Sequence, residues 1–350
     1  MDIVREVFGT WKNSTIHRYT ITNDSGLTVT ILNFGAIISS LKVPDRRGET
    51  ADIVLGYDTL QEYIEDGVYI GSLVGRYANR INGGRLQLEE TPYQLSCNRP
   101  GLHLHGGREG FNKKIWEAEP IQEERGLGLK LSLISSDGDE GYPGNLQVGV
   151  SYLLTDDNEL IIDYEAETDR PTVVNLTQHS YFNLAGQGDI CDHHIEINGS
   201  VYTPVGPDLI PTGELATVAG SPFDFRTKRR IGLAMAEGDT QKTAGEGFDH
   251  NYVLDTHGDI DKVAASLSHQ ESGRTMEVRT TKPGMQFYTG NFLTERLTGR
   301  GGAPFFKHAA LCLETQYYPD SPNQPTFPSP LLAPGDLYRH TTKYRFGLQK

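Results

Sequence analysis

Hydrophobic and polar residues alternate along much of the chain. Apolar side chains recur at every second position over residues 27–31, 127–133 and 146–152. Because successive side chains of a strand point to opposite faces, this pattern predicts half-buried β-strands. Turn-forming residues lie between such runs, as in Asn-Asp-Ser-Gly at 23–26, and they indicate antiparallel hairpins. We expect residues 127–168 to form a meander of strands.

Helical periodicity is scarce in this sequence. The best candidates are short stretches at 57–63 and 231–237, and neither is long enough to cover a parallel sheet. The 39 glycines and 18 prolines are spread throughout, which suits many short strands. We therefore predict an all-β fold, a large antiparallel β-sandwich with few short helices, as a single domain over residues 1–350. A proline-rich segment at 317–330 is expected to be an ordered surface loop, because a strand-like stretch follows it.

Composition excludes several classes of function. No segment approaches the roughly 18 consecutive apolar residues that a membrane helix needs. The first fifteen residues lack the features of a secretory signal, so a cytoplasmic location is expected. The three scattered cysteines favour reduced thiols over a disulfide framework. A formal net charge of −14 opposes binding to nucleic acid, and we interpret the basic run at 226–230 as a solvated loop.

Candidate chemistry lies where polar and ring-bearing residues interrupt the strand pattern, because burying such residues costs free energy. Glu314 follows the apolar run at 309–313, which predicts a carboxylate on a buried strand and therefore a strengthened base. The alternative is a structural salt bridge from Glu314 to an arginine such as Arg80. His179 also interrupts a strand-like stretch, and its alternative is a hydrogen-bonded core histidine.

A metal site is a rival interpretation of one segment. His103, His105 and Glu109 have an HxHxxxE spacing similar to that of cupin metal sites. The cupin pattern also expects glycines where Cys97 and Trp116 stand, and no second histidine motif supplies the remaining ligand. We predict no metal and no other cofactor.

Several polar residues suit the recognition of a sugar. Arg80, Asp249 and Gln286 are able to make directional hydrogen bonds to hydroxyl groups, and Phe287 or Tyr181 could cover an apolar sugar face. Each residue also has a simpler interpretation. Asp249 could cap a turn, Gln286 could satisfy a strand edge, and Arg80 could be a surface cation.

The order of these segments adds information that no single segment carries. Further recognisable stretches are Asn-Phe-Gly-Ala at 33–36, Asp-Ile-Val-Leu-Gly-Tyr at 52–57, Asn-Arg-Ile at 79–81, Leu-His-Gly-Gly at 104–107, Asp-Glu-Gly-Tyr-Pro-Gly at 139–144, Asn-Leu-Thr-Gln-His-Ser-Tyr-Phe-Asn-Leu at 175–184, Leu-Ile-Pro-Thr-Gly-Glu at 209–214 and Leu-Glu-Thr-Gln at 313–316. Together and in this order they resemble the aldose 1-epimerase (galactose mutarotase) family, from residue 33 to residue 342.

The resemblance implies a β-sandwich with an open sugar cleft and an enzyme that interconverts the α and β anomers of a free aldose without a cofactor. It implies Glu314 as the base and His179 as the acid, with a possible share of the acid role for His105. Gln178 stands where some members of the family have asparagine. The residues that the resemblance assigns to binding the sugar are Asn79, Arg80, Asp249 and Gln286.

Other functions stay open at this point. A related epimerase for a phosphorylated hexose should need a cluster of Arg or Lys, which is not evident beside these segments. A non-catalytic sugar-binding protein would not need both Glu314 and His179. A glycosidase would need two flanking carboxylates, and one good candidate is present. The expected partner is a free monosaccharide such as galactose or glucose, with the protein acting as a monomer or weak homodimer.

Overall fold

The computed structural model describes residues 1–349, in which β-strands pair antiparallel into sheets. The strands, in chain order, are β1 (Asp2–Trp11), β2 (Ser14–Thr22), β3 (Thr28–Leu32), β4 (Ile38–Pro44), β5 (Thr50–Asp52), β6 (Ser72–Val74), β7 (Arg80–Asn82), β8 (Arg85–Leu88), β9 (Thr91–Gln94), β10 (Leu102–Leu104), β11 (Glu117–Glu123), β12 (Gly126–Ser135), β13 (Leu146–Thr155), β14 (Glu159–Thr168), β15 (Thr172–Val173), β16 (Thr177–His179), β17 (His193–Ile197), β18 (Val201–Tyr202), β19 (Ala216–Thr217), β20 (Arg229–Arg230), β21 (Asp249–Val253), β22 (Ala265–His269), β23 (Arg274–Thr280), β24 (Gly284–Tyr288), β25 (Cys312–Gln316), β26 (Leu331–Leu332) and β27 (Tyr338–Leu348).

The largest sheet has nine strands in the order β11-β12-β13-β14-β27-β23-β22-β17-β20. Strands β12, β13 and β14 form the meander predicted for residues 127–168, and β11 adds a further strand before it. Along β13 the residues Leu146, Val148, Val150 and Tyr152 are buried. The three residues between them are more exposed. The period of two in the sequence is therefore the alternation between core and solvent.

Two five-stranded sheets complete the sandwich. The first follows chain order from β1 to β5, and the second has the order β19-β18-β21-β24-β25. One hydrophobic core joins all three sheets, with Val29 from the first, Val150 from the nine-stranded sheet and Phe287 from the second. Burial of apolar surface on this scale is the main force that holds the sheets together. The all-β antiparallel sandwich is thus confirmed.

Helices are few and short, as expected. They are α1 (Leu60–Glu65), α2 (Ile231–Ala236) and α3 (Thr240–Gly245). The first begins at a capping box in which Thr59 and Glu62 bond each other's backbone N–H groups, and this moves its start beyond the predicted residue 57. The third helix was not predicted, although Asp239 caps its first turn. Among residues 1–349, no helix has the length and apolar character needed to cross a membrane.

The two segments expected to be surface loops are ordered. In the proline-rich segment, Tyr318 and Asp320 are buried, and the carboxylate of Asp320 accepts a hydrogen bond from the backbone of Asn82 at 2.9 Å. In the basic run, Arg226 pairs with Asp224 and Arg230 pairs with Asp192. The loop prediction is wrong for Arg229 and Arg230, which form the edge strand β20 beside β17, and holds for residues 226–228.

Candidate active site

The second five-stranded sheet supplies most of the polar residues that the sequence singles out. In its register Gln286 of β24 lies opposite both Asn251 of β21 and Glu314 of β25. Side chains that face each other across antiparallel strands point to the same side of a sheet, as do residues two apart. One face of this sheet therefore gathers polar residues from three strands. They are Asp249, Asn251, Gln286, Tyr288, Cys312, Glu314 and Gln316.

The other face of the same strands is mainly apolar, with His250 and Thr315 as polar members. Phe248, Phe287 and Leu313 point into the core, and the rings of Phe248 and Phe287 stack with centroids 5.3 Å apart. Phe287 is completely buried there, so the prediction that it covers a sugar is wrong. Its neighbour Gln286 lies on the polar face, and adjacent residues of a strand cannot share a face.

A cavity of about 330 Å³ opens above the polar face, which is of the right order for a small ligand. Six of the seven residues predicted for the site line it: Asn79, Arg80, His105, His179, Asp249 and Glu314. Gln286, the seventh, lies behind Asp249, where its Nε2 atom donates to Oδ1 of that carboxylate at 2.6 Å. The structure thus brings residues from distant parts of the chain to one cavity.

Glu314 is the most deeply buried acid of the cavity, with 2% of the residue exposed. Its Oε2 atom has no hydrogen-bond partner among the described residues. Burial raises the pKa of this carboxyl to about 8, and the charge of Asp249 adds to the rise while Arg80 opposes it. Arg80 forms its ion pair with Asp249, at 3.0 Å, rather than with Glu314. Arg80 therefore does not neutralise Glu314, and the raised pKa makes this carboxylate a strong base once it is ionised.

His179 stands beside Glu314 at the end of β16. Its Nε2 atom is 3.6 Å from Oε2 of Glu314. The imidazole lies between the rings of Tyr69 and Tyr181, with centroids 5.9 and 5.0 Å away. Burial lowers the pKa of His179 to about 4. Because burial moves the two pKa values in opposite directions, the pair holds a single proton at neutral pH, and that proton rests on Glu314.

His105 lies in the loop after β10, with a positive φ of 50°. It exchanges two hydrogen bonds with Asn79: the His105 backbone N–H donates to the Asn79 carbonyl, and the Asn79 N–H donates to Nδ1 of His105. Burial lowers the pKa of His105 well below its usual value, so the ring is neutral. Since Nδ1 accepts a bond, Nε2 carries the proton. His105 is thus set to donate a hydrogen bond into the cavity.

The glycine after His105 makes this loop possible. A Cβ atom at Gly106 would lie 1.8 Å from the carbonyl oxygen of Gly75, and its φ of +85° is one that other residues rarely adopt. We expect Gly106→Ala to displace His105 and to lower kcat/KM by at least about tenfold, the equivalent of roughly 1.4 kcal/mol. Polarimetric assays would measure this loss. Gly149→Ala is the matched control, because a Cβ there meets no atom within 4 Å.

The HxHxxxE spacing does not assemble a metal site. The imidazole of His103 is buried between the carbonyl of Ser96 and the hydroxyl of Tyr142, at 2.6 Å from each. Glu109 is exposed and forms an ion pair with Lys12 at 3.5 Å. Of the three residues, His105 alone lines the cavity.

A different set of side chains comes close enough to be considered for a cation. Potential ligand atoms of His105, His179 and Glu314 lie within 4.8 Å of one another. However, the bond from the Asn79 backbone occupies Nδ1 of His105 and leaves a protonated Nε2, which cannot ligate a metal. The set is therefore arranged as donors and acceptors for a ligand with hydroxyl groups, not as a metal-ligating set.

An ion pair orders another part of the cavity wall. Arg80 donates to Asp249 at 3.0 Å and to the side chain of Asn79 at 2.9 Å. Gln316 joins the same network, because its Nε2 donates to Gln286 at 3.2 Å and its Oε1 accepts from Asn79 at 3.2 Å. These bonds fix the direction of each polar group before any ligand arrives, which reduces the entropic cost of binding.

The charge of Asp249 should be visible in the pH dependence of activity. It raises the pKa of Glu314, so we expect Asp249→Asn to lower that pKa and move the alkaline limb of the rate profile to lower pH. KM should rise in the same variant, because Asp249 lines the cavity. Rates measured from pH 5 to pH 10 test both effects. An unchanged alkaline limb would contradict the electrostatic part of this account.

Some lining residues were not found from the sequence. Tyr69, Arg99, Leu209 and Phe292 come from loops and line the cavity with the predicted set. The ring of Tyr69 packs against that of His105 at an angle of 56°, with centroids 4.6 Å apart. Their local sequences carry no strand pattern that a polar residue could interrupt. Tyr69 and Leu209 each have a positive φ of 62°, which marks an unusual backbone position, but that is a property of the fold. Gln178 does not line the cavity. Its side-chain Oε1 atom accepts a hydrogen bond from the hydroxyl of Tyr152 at 2.8 Å.

The chain is similar to known proteins over nearly its whole length. The aldose 1-epimerase family model matches residues 17–345. The chain is 44% identical to the galactose mutarotase of Mus musculus over 99% of each chain, and 38% identical to the aldose 1-epimerase of Escherichia coli over 93% of this chain and 94% of that one. The crystal structure of galactose 1-epimerase from Lactobacillus acidophilus superposes with a TM-score of 0.89 at 27% identity, covering 100% of this chain and 99% of that one.

A family model over most of the chain and relatives at this identity define the class of protein. The chain belongs to the aldose 1-epimerase family. It is accordingly an isomerase that acts on a sugar, as the resemblance predicted.

Proposed function

We propose that this enzyme interconverts the α and β anomers of free aldoses such as D-galactose and D-glucose, with Glu314 and His179 as its acid–base pair. The observation that carries the proposal is the unpartnered Oε2 atom of Glu314, 3.6 Å from Nε2 of His179, inside a cavity lined by hydrogen-bonding groups. The seven polar residues that the sequence singles out all lie in or directly behind this cavity.

The chemistry follows from the substrate. A cyclic hemiacetal opens when the anomeric hydroxyl loses its proton while the ring oxygen gains one, so a base and an acid must act together. Transfer of the pair's single proton from Glu314 to His179 gives an ionised base and a protonated acid. Glu314 then removes the proton from the anomeric hydroxyl, and Nε2 of His179 protonates the ring oxygen.

Reclosure uses the same two groups with their roles reversed. After rotation about the C1–C2 bond, Glu314 returns its proton to the carbonyl oxygen, and His179 takes the proton from the C5 hydroxyl as that oxygen attacks C1. The enzyme ends in its starting state, so the cycle consumes no cofactor. The Nε2–H group of His105 and the guanidinium of Arg80 line the same cavity, and we assign them to holding and polarising the sugar.

The pH dependence of the rate should be bell-shaped. Below a pH of about 4 both groups are protonated and no base remains, and above about 8 both are deprotonated and no acid remains. We expect the highest rate between these limits, with the acid limb governed by His179 and the alkaline limb by Glu314. Initial polarimetric rates over this range test the prediction, and a rate that stays constant into strongly acidic solution would contradict it.

A free sugar fits this cavity better than a phosphorylated one. Arg80 is already paired with Asp249, and the guanidinium of Arg99 donates to two backbone carbonyls, those of Gly67 and Asn98. A phosphate group needs several converging donors that are not committed elsewhere. A non-catalytic binding protein is also disfavoured, because hydroxyl recognition alone gives no reason to hold Glu314 without a partner beside His179.

The remaining expectations are part of the same proposal. We propose a single domain over residues 1–350 that works as a monomer or weak homodimer, binds a free monosaccharide and no nucleic acid, and resides in the cytoplasm. One core shared by the three large sheets supports the single domain. The three free cysteines support a reducing compartment.

The proposal is tested with freshly dissolved α-D-galactose and α-D-glucose, followed by polarimetry at neutral pH. The expected result is an approach to anomeric equilibrium that is faster than the uncatalysed one by orders of magnitude, in proportion to enzyme concentration. D-glucose 6-phosphate serves as the comparison. Acceleration with the phosphorylated sugar alone would overturn the proposal in favour of the hexose-phosphate alternative.

A further inference from the structure

The second ring nitrogen of His179 has an unexpected neighbour. While Nε2 faces Glu314, the Nδ1 atom lies 3.6 Å from Sγ of Cys312. Cys312 is completely buried, and it lies two residues before Glu314 on β25, on the same polar face of the sheet. One strand therefore supplies a partner to each nitrogen of the imidazole.

A thiol is an unusual partner for a histidine that moves protons. In catalytic sites this nitrogen is commonly held by a carboxylate or a backbone carbonyl, which accepts its N–H and stabilises the imidazolium. A thiol is a weak acceptor and a weak donor, and it is able to act as either. Burial raises the pKa of the Cys312 thiol well above its usual value, so the sulfur keeps its proton throughout the cycle.

We propose that Cys312 is a positioning residue that holds the His179 imidazole through Nδ1 while giving its imidazolium form little stabilisation. This inference rests on the proposed function of His179 and deepens it. During ring opening the imidazolium loses its Nε2 proton, and the neutral ring that remains keeps its proton on Nδ1. The sulfur accepts that N–H bond in both states, so the ring does not have to turn between the two halves of the reaction.

The weakness of the thiol as an acceptor has a chemical consequence. A carboxylate in this position would stabilise the imidazolium and make it a poorer acid toward the weakly basic ring oxygen. With sulfur in its place, the charge on His179 is compensated mainly from the cavity side. The ionisable groups that face the imidazole are Glu314 and Cys312 of β25, Asp249 of β21, and the loop residues Tyr69, His105 and Tyr181.

Two substitutions of Cys312 test the proposal in opposite directions. Cys312→Ser replaces sulfur with a stronger acceptor of similar shape, so the pKa of His179 and the acid limb of kcat should rise by roughly 0.5 to 1 pH unit. Cys312→Ala removes the acceptor, so the acid limb should fall to lower pH and kcat should drop by about threefold to tenfold, the effect of one hydrogen bond. KM should change little in both variants.

The measurement that does not depend on activity is ¹⁵N NMR of the His179 ring in the whole protein without sugar. We expect the pKa of His179 to be highest in Cys312→Ser, intermediate in the unmodified enzyme and lowest in Cys312→Ala. Cys191→Ser is the control for loss of a thiol elsewhere, and thermal unfolding verifies that each variant is folded. An identical His179 pKa and identical ring shifts in all three proteins would overturn the proposal. If the pKa of His179 shifted with the residue at position 312 but the unmodified protein had no epimerase activity, the contact would be supported and the proposed function rejected.

Discussion

Replacement of Glu314 with glutamine is expected to lower kcat by roughly 10³-fold and to change KM by no more than a few-fold. Glutamine has nearly the same shape, so the strand and the cavity should persist. Its amide cannot accept the proton of the anomeric hydroxyl, and the reaction loses its base. The Oε2 atom of Glu314 also has no hydrogen-bond partner in the described part of the chain, so the substitution breaks no bond at that atom.

Polarimetry with α-D-galactose would measure this loss, and circular dichroism would verify the fold. Glu165→Gln is the matched control, because Glu165 pairs with Arg339 on the exposed face of the nine-stranded sheet and lies outside the cavity. The control should retain the rate of the unmodified enzyme. If Glu314→Gln were to retain more than about a tenth of kcat, general-base catalysis of the usual size could not be assigned to this residue.

The second large effect is expected for His179→Asn, with a loss in kcat of about 10²-fold to 10³-fold. Asparagine occupies part of the imidazole volume but cannot deliver a proton to the ring oxygen. The acid limb near pH 4 should disappear from whatever activity remains, because it reports the protonation of this imidazole. Glu314 then titrates alone and acts only when it is ionised, so the remaining rate should rise with pH through its pKa of about 8 without an alkaline fall.

The matched control for this substitution is His194→Asn, at a half-buried position of β17 outside the cavity. Its rate and pH profile should equal those of the unmodified enzyme. A limb that survives near pH 4 in folded His179→Asn would assign that limb to another group. His105 is the first candidate, because its ring lies 5.1 Å from that of His179 and the acid role could be shared.

The class of the fold was predictable from the sequence because apolar and polar residues alternate as core-facing and solvent-facing side chains do along a strand. Leu129 and Leu131 are both completely buried, as the pattern requires. The pattern could not say which face of a strand meets a ligand. Gln286 and Phe287 were therefore both assigned to the sugar, although adjacent strand residues must diverge, and Phe287 belongs to the core.

The residues of the site were predictable to the extent that they interrupt a strand. Glu314 and His179 follow apolar runs, and burial there accounts for both perturbed pKa values. Tyr69 and Arg99 were missed because loops bring them to the cavity, and loops leave no periodic signal. The contact between Cys312 and His179 was also beyond prediction, because it depends on how β25 packs against β16.

The central claim is that Glu314 and His179 act as one acid–base pair, and the double variant Glu314→Gln/His179→Asn tests it most directly. Groups that act as a unit in the same step are strongly non-additive. We predict that kcat of the double variant lies within about threefold of that of the more impaired single variant. If the two losses multiplied in the double variant, the residues would act independently, and that result would contradict the account.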